Sequence, residues 1–382
     1  MFLYQETRQY FAQISGGLEE LGAAELTALG ATDVREAHRG IRFTADPAIL
    51  YRVNYRARLV SRVLAPLVRF GCHNPDYLYR RAREIDWTAI LRPDQTFAVF
   101  ANLAQSKISH SQFASLRVKD AVADRFREHL GKRPNVDTQE PDLWIHLHLA
   151  RDVATVSLDT SGGSLHRRGY RQEQGEAPMQ ETVAAAILDL AGWDGGRPLY
   201  DPMCGAGTLL GEATLKHARV PAGFLRARSG KFGFTMLPDF DARVWHDEKQ
   251  AADGEICEVA AGRIRGSDVD PRAVGMARRN LGRLPGGGTV PVFAADFRDL
   301  PALDGHVIVC NPPYGLRMGK GSDIGAFYGE LGDFLKQRCT GSEAYVYFGD
   351  RELIKKVGLR PAWKRPLSNG GLDGRLVKYD LY

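Results

Sequence analysis

Residues 310–315 of the chain read Cys-Asn-Pro-Pro-Tyr-Gly and follow the apolar run His306-Val307-Ile308-Val309. The run reads as a buried parallel strand. Pro312 and Pro313 stop that strand, remove two N–H donors and fix two φ angles. What remains is a rigid pair of acceptors, the Asn311 side-chain oxygen and the Pro312 carbonyl, beside the Tyr314 ring. An exocyclic amine on a planar nitrogen base can donate to both acceptors while the base stacks on the ring. The same residues can also form a Pro-rich turn that only ends a strand.

Three earlier loops bear on that choice. Asp201-Pro202-Met203-Cys204-Gly205-Ala206-Gly207-Thr208 lies between a short strand and a helix. Gly205 and Gly207 allow close backbone approach to a ligand and a sharp turn into the helix. No Gly-Lys-Ser/Thr follows, and Leu210 stands where a dinucleotide fingerprint needs its third glycine, so neither phosphate-loop pattern is present. Gly266-Ser267-Asp268-Val269-Asp270-Pro271 puts acids at the end of the next strand, where a carboxylate can accept from both ribose hydroxyls. Ala295-Asp296-Phe297 sets an acid beside an aromatic ring, a combination suited to an adenine. Parallel strands place these loops side by side along the carboxyl edge of a sheet, where α/β proteins bind ligands.

The elements that must hold these loops alternate. Strands are expected at 199–201, 263–268, 290–294, 307–310 and 344–348. Helices are expected at 178–192, 208–218, 271–281, 324–339 and 351–357. A hairpin, Trp363–Leu367 with Arg375–Tyr382, turns near Asn369-Gly370-Gly371. This β-α repetition means a doubly wound, mostly parallel sheet with an antiparallel edge. Residues 219–262 read as an irregular polar and aromatic insertion ending in a helix.

The first half differs. A strand at 10–14, a helix at 17–29, a strand pair within 34–43 and a helix opened by Asp46-Pro47 resemble half of a ferredoxin-like domain. A long helix over 111–129 is expected to turn Phe113, Leu116, Val118, Ala121, Val122 and Phe126 inward. Two strands, 143–149 and 153–158, follow. His146 and His148 share a strand face, but no third ligand accompanies them, so both are read as structural and no metal is expected.

With 382 residues, 44% hydrophobic and 25% charged, the chain is an ordinary globular protein of two or three domains. It has no run of about 18 apolar residues, so no membrane association is expected. Met1–Glu6 shows no signal-peptide pattern. Five scattered cysteines without C-x-x-C indicate reduced thiols and a cytoplasmic protein. The net charge of +5 permits a nucleic-acid partner, and the excess lies in the first half and in His166–Arg171.

Together the four loops resemble the amino group-modifying class of S-adenosylmethionine-dependent methyltransferases. In that class the loop Asp201–Gly207 cradles the methionine part of the cofactor, Asp268 holds the ribose and Asp296 the adenine amine, while Asn-Pro-Pro-Tyr binds the target amine. Gln180, Glu181 and Thr182 resemble the upstream helix that closes over the cofactor. Asp270, Phe297 and Asn311 complete the expected cofactor set. Residues 111–121, 133–137 and 165–171 resemble the THUMP region of bacterial 23S ribosomal RNA guanine-N2 methyltransferases, and the likeness covers nearly the whole chain. Gly374 departs from it, standing where the pattern has Cys.

The resemblance implies a Rossmann-like class I methyltransferase domain (α/β) preceded by an α+β ferredoxin-like and THUMP region. The expected division is 1–50 ferredoxin-like, 51–161 THUMP, 162–178 linker and 179–382 methyltransferase. The implied substrate is RNA, ribosomal RNA above all, naked or within a pre-ribosomal particle. Lys107, Arg117, Lys119, Arg167 and Arg168 are candidate phosphate contacts. Guanine N2 in transfer RNA, adenine N6, and a non-catalytic RNA-binding assembly factor remain alternatives.

Overall fold

The computed structural model describes residues 1–172, 179–314 and 323–382. The expected helix start at Pro178, the end of the 162–178 linker and Gly315 lie outside the described residues. The chain divides into two compact units. The first is Met1–Ile14, Ala23–Leu165 and Arg226–Gln250; the second is Ser15–Gly22, His166–Leu225 and Ala251–Tyr382.

The first 160 residues contain α1 (Leu3–Thr7), β1 (Gln9–Gln13), α2 (Glu19–Ala28), β2 (Thr32–Ala37), β3 (Gly40–Thr44), α3 (Pro47–Arg56) and β4 (Arg62–Gly71). These are followed by α4 (Pro75–Arg83), β5 (Thr96–Ala104), α5 (Ser111–Leu130), β6 (Asn135–Val136), β7 (Leu143–Ala150) and β8 (Val153–Asp159). The strands form one sheet in the order β2-β3-β1-β4-β8-β7-β5-β6. Helix starts follow local chemistry. Asp46 accepts from the Ile49 N–H at 2.8 Å with Pro47 next in line, and Asn74 accepts from the Tyr77 N–H at 2.7 Å before Pro75.

Three expectations change here. The division at 50/51 falls inside α3, and β1 pairs directly with β4, so the ferredoxin-like and THUMP strands share one sheet. On α5 the buried stripe is Ala114, Val118, Ala121, Val122 and Phe126, whereas Phe113 and Leu116 are 48% and 45% exposed. At 100° per residue, Leu116 lies two positions from both Ala114 and Val118 and so points away from the stripe. Finally, Arg226–Gln250 belongs to the first unit. Phe234 and Trp245 pack on Tyr51, and Phe232 on Tyr55, both on α3. The Phe234 N–H donates to the Thr160 carbonyl at 2.7 Å.

The rest of the chain gives α6 (Glu181–Leu190), β9 (Leu199–Asp201), α7 (Thr208–His217), α8 (Phe224–Arg228), α9 (Ala242–Gly254), β10 (Ile264–Asp268) and α10 (Pro271–Leu281). Then come β11 (Val292–Ala294), β12 (Val307–Cys310), α11 (Ile324–Arg338), β13 (Glu343–Phe348), β14 (Trp363–Asn369) and β15 (Leu372–Asp380). The second unit's sheet runs β11-β10-β9-β12-β13-β15-β14. The strands from β11 to β13 are parallel, and β15 returns antiparallel to β13 and β14, as expected of the doubly wound sheet. The chain moves outward from β9 through β10 to β11, then returns to β9's other edge as β12. That reversal opens a crevice at the carboxyl ends of β9 and β12. The segment from His166 is packed rather than linker-like: Arg168 and Tyr170 are 2% and 0% exposed.

Candidate active site

Asp201 ends β9 fully buried, and its carboxylate accepts from the Met203 N–H at 3.1 Å. Burial pushes its carboxyl well above the usual range. The loop after it is tied to β10. The Cys204 N–H donates to the Ser267 carbonyl at 2.9 Å, and the Gly205 N–H to Asp268 Oδ2 at 2.8 Å. Gly205 and Gly207 take φ of +53° and +80°, which only glycine adopts without strain. A Cβ on Gly207 would sit 3.0 Å from Ala277 Cβ, so this glycine also lets α7 and α10 approach. A Cβ on Gly205 would meet nothing within 4 Å; the loop faces open space there.

Asp268 is held by backbone on both sides, with Oδ1 accepting from the Asp270 N–H at 3.0 Å. Each carboxylate oxygen keeps a further lone pair for a hydroxyl donor. Asp270 caps α10 through the Arg272 N–H at 2.8 Å, so it has a structural task besides any cofactor contact. Between them Val269 is 67% exposed, an apolar surface at the loop's rim that the sequence reading passed over. Asp296 accepts from the Arg298 N–H at 3.0 Å and pairs with Arg298 Nε at 3.3 Å. Phe297 does not stand beside it as a stacking face. Its ring is 4% exposed and meets Phe327 and Phe334 edge-on at 5.5 and 5.7 Å, because an apolar ring on this turn gains more from the core than from the crevice.

At the end of β12 the Asn311 Oδ1 is buried and has no hydrogen-bond partner among the described residues. Pro312 is buried, and the Pro313 carbonyl accepts from the Tyr328 hydroxyl of α11 at 3.2 Å. Tyr314 is half-buried and its ring lies over Gly349, where a Cβ would come within 2.6 Å of it. The four residues are thus braced from α11 and from the end of β13, while the Asn311 side-chain oxygen keeps its acceptor capacity.

Gln180 precedes α6, and its N–H donates to Asn369 Oδ1 at 2.9 Å, which ties this segment to the β14–β15 turn. Glu181 and Thr182 are buried. Burial raises the Glu181 carboxyl to about 7, against the opposing pull of Arg171. Arg171 reaches Glu181 Oε2 at 3.4 Å, the Met179 carbonyl at 2.6 Å and Thr208 Oγ1 at 3.4 Å. It therefore bridges the start of α6 and the start of α7.

Arg168 is not an RNA contact. Its guanidinium is enclosed and pairs with Glu212 of α7, Nε to Oε1 at 3.3 Å, and the Tyr170 hydroxyl donates to the same oxygen at 3.2 Å. A charge in such surroundings persists only when paired. The signal that was missed is Glu212, an acid set among Leu209, Leu210, Ala213 and Leu215 on an apolar helix. Arg167 is exposed, as is Lys107 of the first unit. Within the first unit, Arg117 is held by Asp76 at 2.7 Å over the Tyr79 ring, and Lys119 pairs with Asp120 at 2.6 Å.

His146 is buried, close to neutral-only behaviour because burial lowers its pKa to about 3, and its Nε2 lies 3.2 Å from the Asn102 amide. No cluster of three metal-ligating side chains occurs among the described residues, and no described helix is long and apolar enough to cross a membrane.

Residues 168–378 match the family model described as the RMKL-like methyltransferase domain, residues 72–159 the THUMP domain, and residues 9–64 the RlmL ferredoxin-like domain. A Synechocystis sp. protein named "Putative RNA methyltransferase slr0064" is 41% identical over 98% of this chain and 97% of its own length. Ribosomal RNA large subunit methyltransferase K/L of Syntrophotalea carbinolica is 40% identical over 98% of this chain, and that of Photobacterium profundum 37% over 97%. The chain spans about half of those two relatives, 53% and 52% of their length. Among solved structures, the SMU.472 protein complexed with SAH superposes with a TM-score of 0.84 at 26% identity, covering 98% of both chains. A predicted N6-adenine-specific DNA methylase from Listeria monocytogenes gives 0.83 at 27%, covering 98% of this chain and 96% of that one. Methyltransferases of this class draw their methyl group from S-adenosylmethionine, and the open face at Gly205 beside the braced Asp268 carboxylate fits such a group. The glycine loop, the acid-ended strands and likeness along nearly the whole length agree: the chain belongs to the RMKL-like methyltransferase family.

Proposed function

We propose that the chain transfers a methyl group from S-adenosylmethionine to the exocyclic N2 amine of a guanosine in 23S ribosomal RNA. The observation that supports the chemistry is the buried Asn311 Oδ1, unpartnered among the described residues, on the same sheet edge as the glycine loop and Asp268. An acceptor shut away without a donor costs about 1–3 kcal/mol, so it is kept for a ligand that brings the donor. The THUMP match and the names of the K/L relatives support ribosomal RNA as substrate. The choice of guanine N2 rests on the resemblance of the chain to that family.

The cofactor, when bound, supplies an electrophilic methyl group on a sulfonium sulfur. The loop Asp201–Gly207 would hold its methionine part, Asp268 its ribose and Asp296 its adenine amine, with Val269 offering the purine an apolar rim. The protein's own task is to present the amine. The guanine amino nitrogen is a weak nucleophile because its lone pair is shared with the ring. Asn311 Oδ1 and the Pro312 carbonyl accept its two N–H bonds, which lets the nitrogen pyramidalise and aims its lone pair. Tyr314 stacks on the base, which must first leave its helix or loop. The proton shed by the amine passes to water. Catalysis of this kind is positioning and fixed dipoles rather than strong base chemistry.

Nucleoside mass spectrometry of ribosomal RNA from a deletion strain tests the assignment. Loss of one N2-methylguanosine in 23S RNA, restored by the gene, is the expected result. Loss of an N6-methyladenosine or of a transfer RNA modification would replace the substrate while leaving the chemistry. Transfer of labelled methyl to no RNA would leave the assembly-factor alternative.

A further inference from the structure

The eight-stranded sheet of the first unit has two unlike faces. Tyr10, Ala12, Val63, Ala65, Ile145, Leu147 and Leu158 alternate onto one face and are buried. The register places Arg42, Arg62, Trp144, His148, Phe100 and Asn102 on the other, around a floor of buried Leu64, Ala98, His146, Ser157 and Asp159. Arg42, Asn102 and His148 are exposed there, and Phe100 and Trp144 are half-buried. The face is organised rather than incidental. Phe100 and Trp144 meet edge-on at 5.8 Å, and the Arg62 guanidinium lies over both rings at 4.8 and 5.4 Å. The Asn102 amide lies 3.2 Å from His146 Nε2 beneath. Its charge has one sign. Among the described strand residues of this face the only carboxylate is Asp159, which is buried and paired with Arg62, while Arg42 has no ion-pair partner among the described residues.

Aromatic rings, amide groups and unpaired arginine on an open sheet are what unpaired nucleic acid requires: bases stack on the rings and phosphates meet the cation. Neither Arg117 nor Lys119 of α5 offers this, since each is already held by a carboxylate. Given the reading above that the substrate is RNA, we infer that this open sheet face docks a single-stranded RNA segment, with Phe100 and Trp144 stacking its bases and Arg42 holding its phosphates.

The test is binding of a short unstructured oligouridylate to the full chain, without cofactor, followed by tryptophan fluorescence and by a salt series. Wild type should show quenching that Trp144→Phe removes. Phe100→Ala should weaken binding roughly 10-fold, the loss of one stacked base. Arg42→Glu should weaken it at least as much and flatten the salt dependence. Unchanged thermal unfolding and unchanged cofactor affinity would show that these variants are folded. The proposal is overturned if wild type binds and methylates RNA and the three variants do so equally well, or if the face captures only a protein or only duplex RNA. If wild type neither binds nor methylates any RNA, the substrate reading itself has failed instead.

Discussion

Two polar regions of the second unit turn polar atoms away from water and end differently. At the end of β12, Asn311 Oδ1 is buried with nothing bonded to it among the described residues. Around α7, the Arg168 guanidinium and the Glu212 carboxylate are enclosed as whole side chains, but they bond each other, and Tyr170 donates to Glu212. Burying a polar group is costly in both places. Where the partner is supplied by the chain, the group is scaffold. At Asn311 no partner is supplied among the described residues, and on the proposed function that position waits for the target amine. The six-residue run His166–Arg171 invited an RNA role because of its charge, and its central arginine is scaffold; the near-neutral Asn-Pro-Pro-Tyr is the stretch we propose for the chemistry.

The strongest way to break this contrast is Asn311→Ala. If the orphaned oxygen is held for the target amine, turnover should fall by about 10³-fold or more while cofactor affinity stays within a few-fold. Single-turnover methyl transfer and calorimetry measure the two separately. Normal turnover would remove Asn311 from the mechanism, whatever the fate of the fold.

Glu212→Ala should give the opposite pattern. It strands a buried guanidinium, so stability should drop by about 3–5 kcal/mol in denaturant titration. Replacing both partners, Arg168→Met with Glu212→Leu, should recover most of that loss, because the pair itself adds little beyond what well-packed apolar groups provide. A double variant as unstable as the single one would mean that the pair's bonding, not the stranded charge, holds α7 in place.

What could be read beforehand follows the same line. The four loops were legible because each is local: glycines, acids and prolines sit within a few residues of one another, and parallel strands bring loops of that kind together. The mostly parallel sheet with its antiparallel edge was legible from alternation, but the order of its seven strands was not. Partners far apart in sequence were not. Arg168 and Glu212 are 44 residues apart, and nothing near His166–Arg171 announces a buried acid. The placement of Arg226–Gln250 depends on Tyr51 and Tyr55, far earlier in the chain. Phe297 sits beside Asp296 in a loop read as a cofactor contact yet serves the core, which only the surrounding rings Phe327 and Phe334 reveal. Phe113 and Leu116 misled for a simpler reason: on a helix, apolar character does not by itself choose the face.

Glu181 sharpens the comparison through pH. Its carboxyl is raised from 4.5 to about 7, chiefly by burial. The folded chain therefore holds this proton more tightly than the unfolded chain. Its contribution to stability is full below the unfolded value, near 4.5, and is lost as pH rises through about 7. The span is of the order of 3 kcal/mol. Glu181→Gln should keep the low-pH stability and flatten the decline between those limits, as followed by denaturant midpoints. An unchanged pH profile would show that Arg171 keeps Glu181 ionised, and that this residue belongs with the paired scaffold rather than with the poised site.

Asp268→Ala should have the smallest effect of the four, and it tests whether the crevice is prearranged. Asp268 has two kinds of work. It orients the glycine loop through the Gly205 N–H at 2.8 Å, and it offers its remaining lone pairs to the cofactor's ribose. Removing it should weaken cofactor binding about 10–100-fold, the range for losing one charge-assisted hydrogen bond of roughly 1.5–3 kcal/mol. Asp268→Asn separates the two tasks. The amide oxygen can still accept from Gly205, so that tie of the loop is kept, while the bond from the Asp270 N–H is lost and one acceptor toward the ribose becomes a donor. If ribose contact dominates, Asn should bind nearly as poorly as Ala; if loop orientation dominates, Asn should bind nearly as well as wild type. Calorimetry with S-adenosylhomocysteine reads this directly, and equal affinity for all three would exclude Asp268 from cofactor binding altogether.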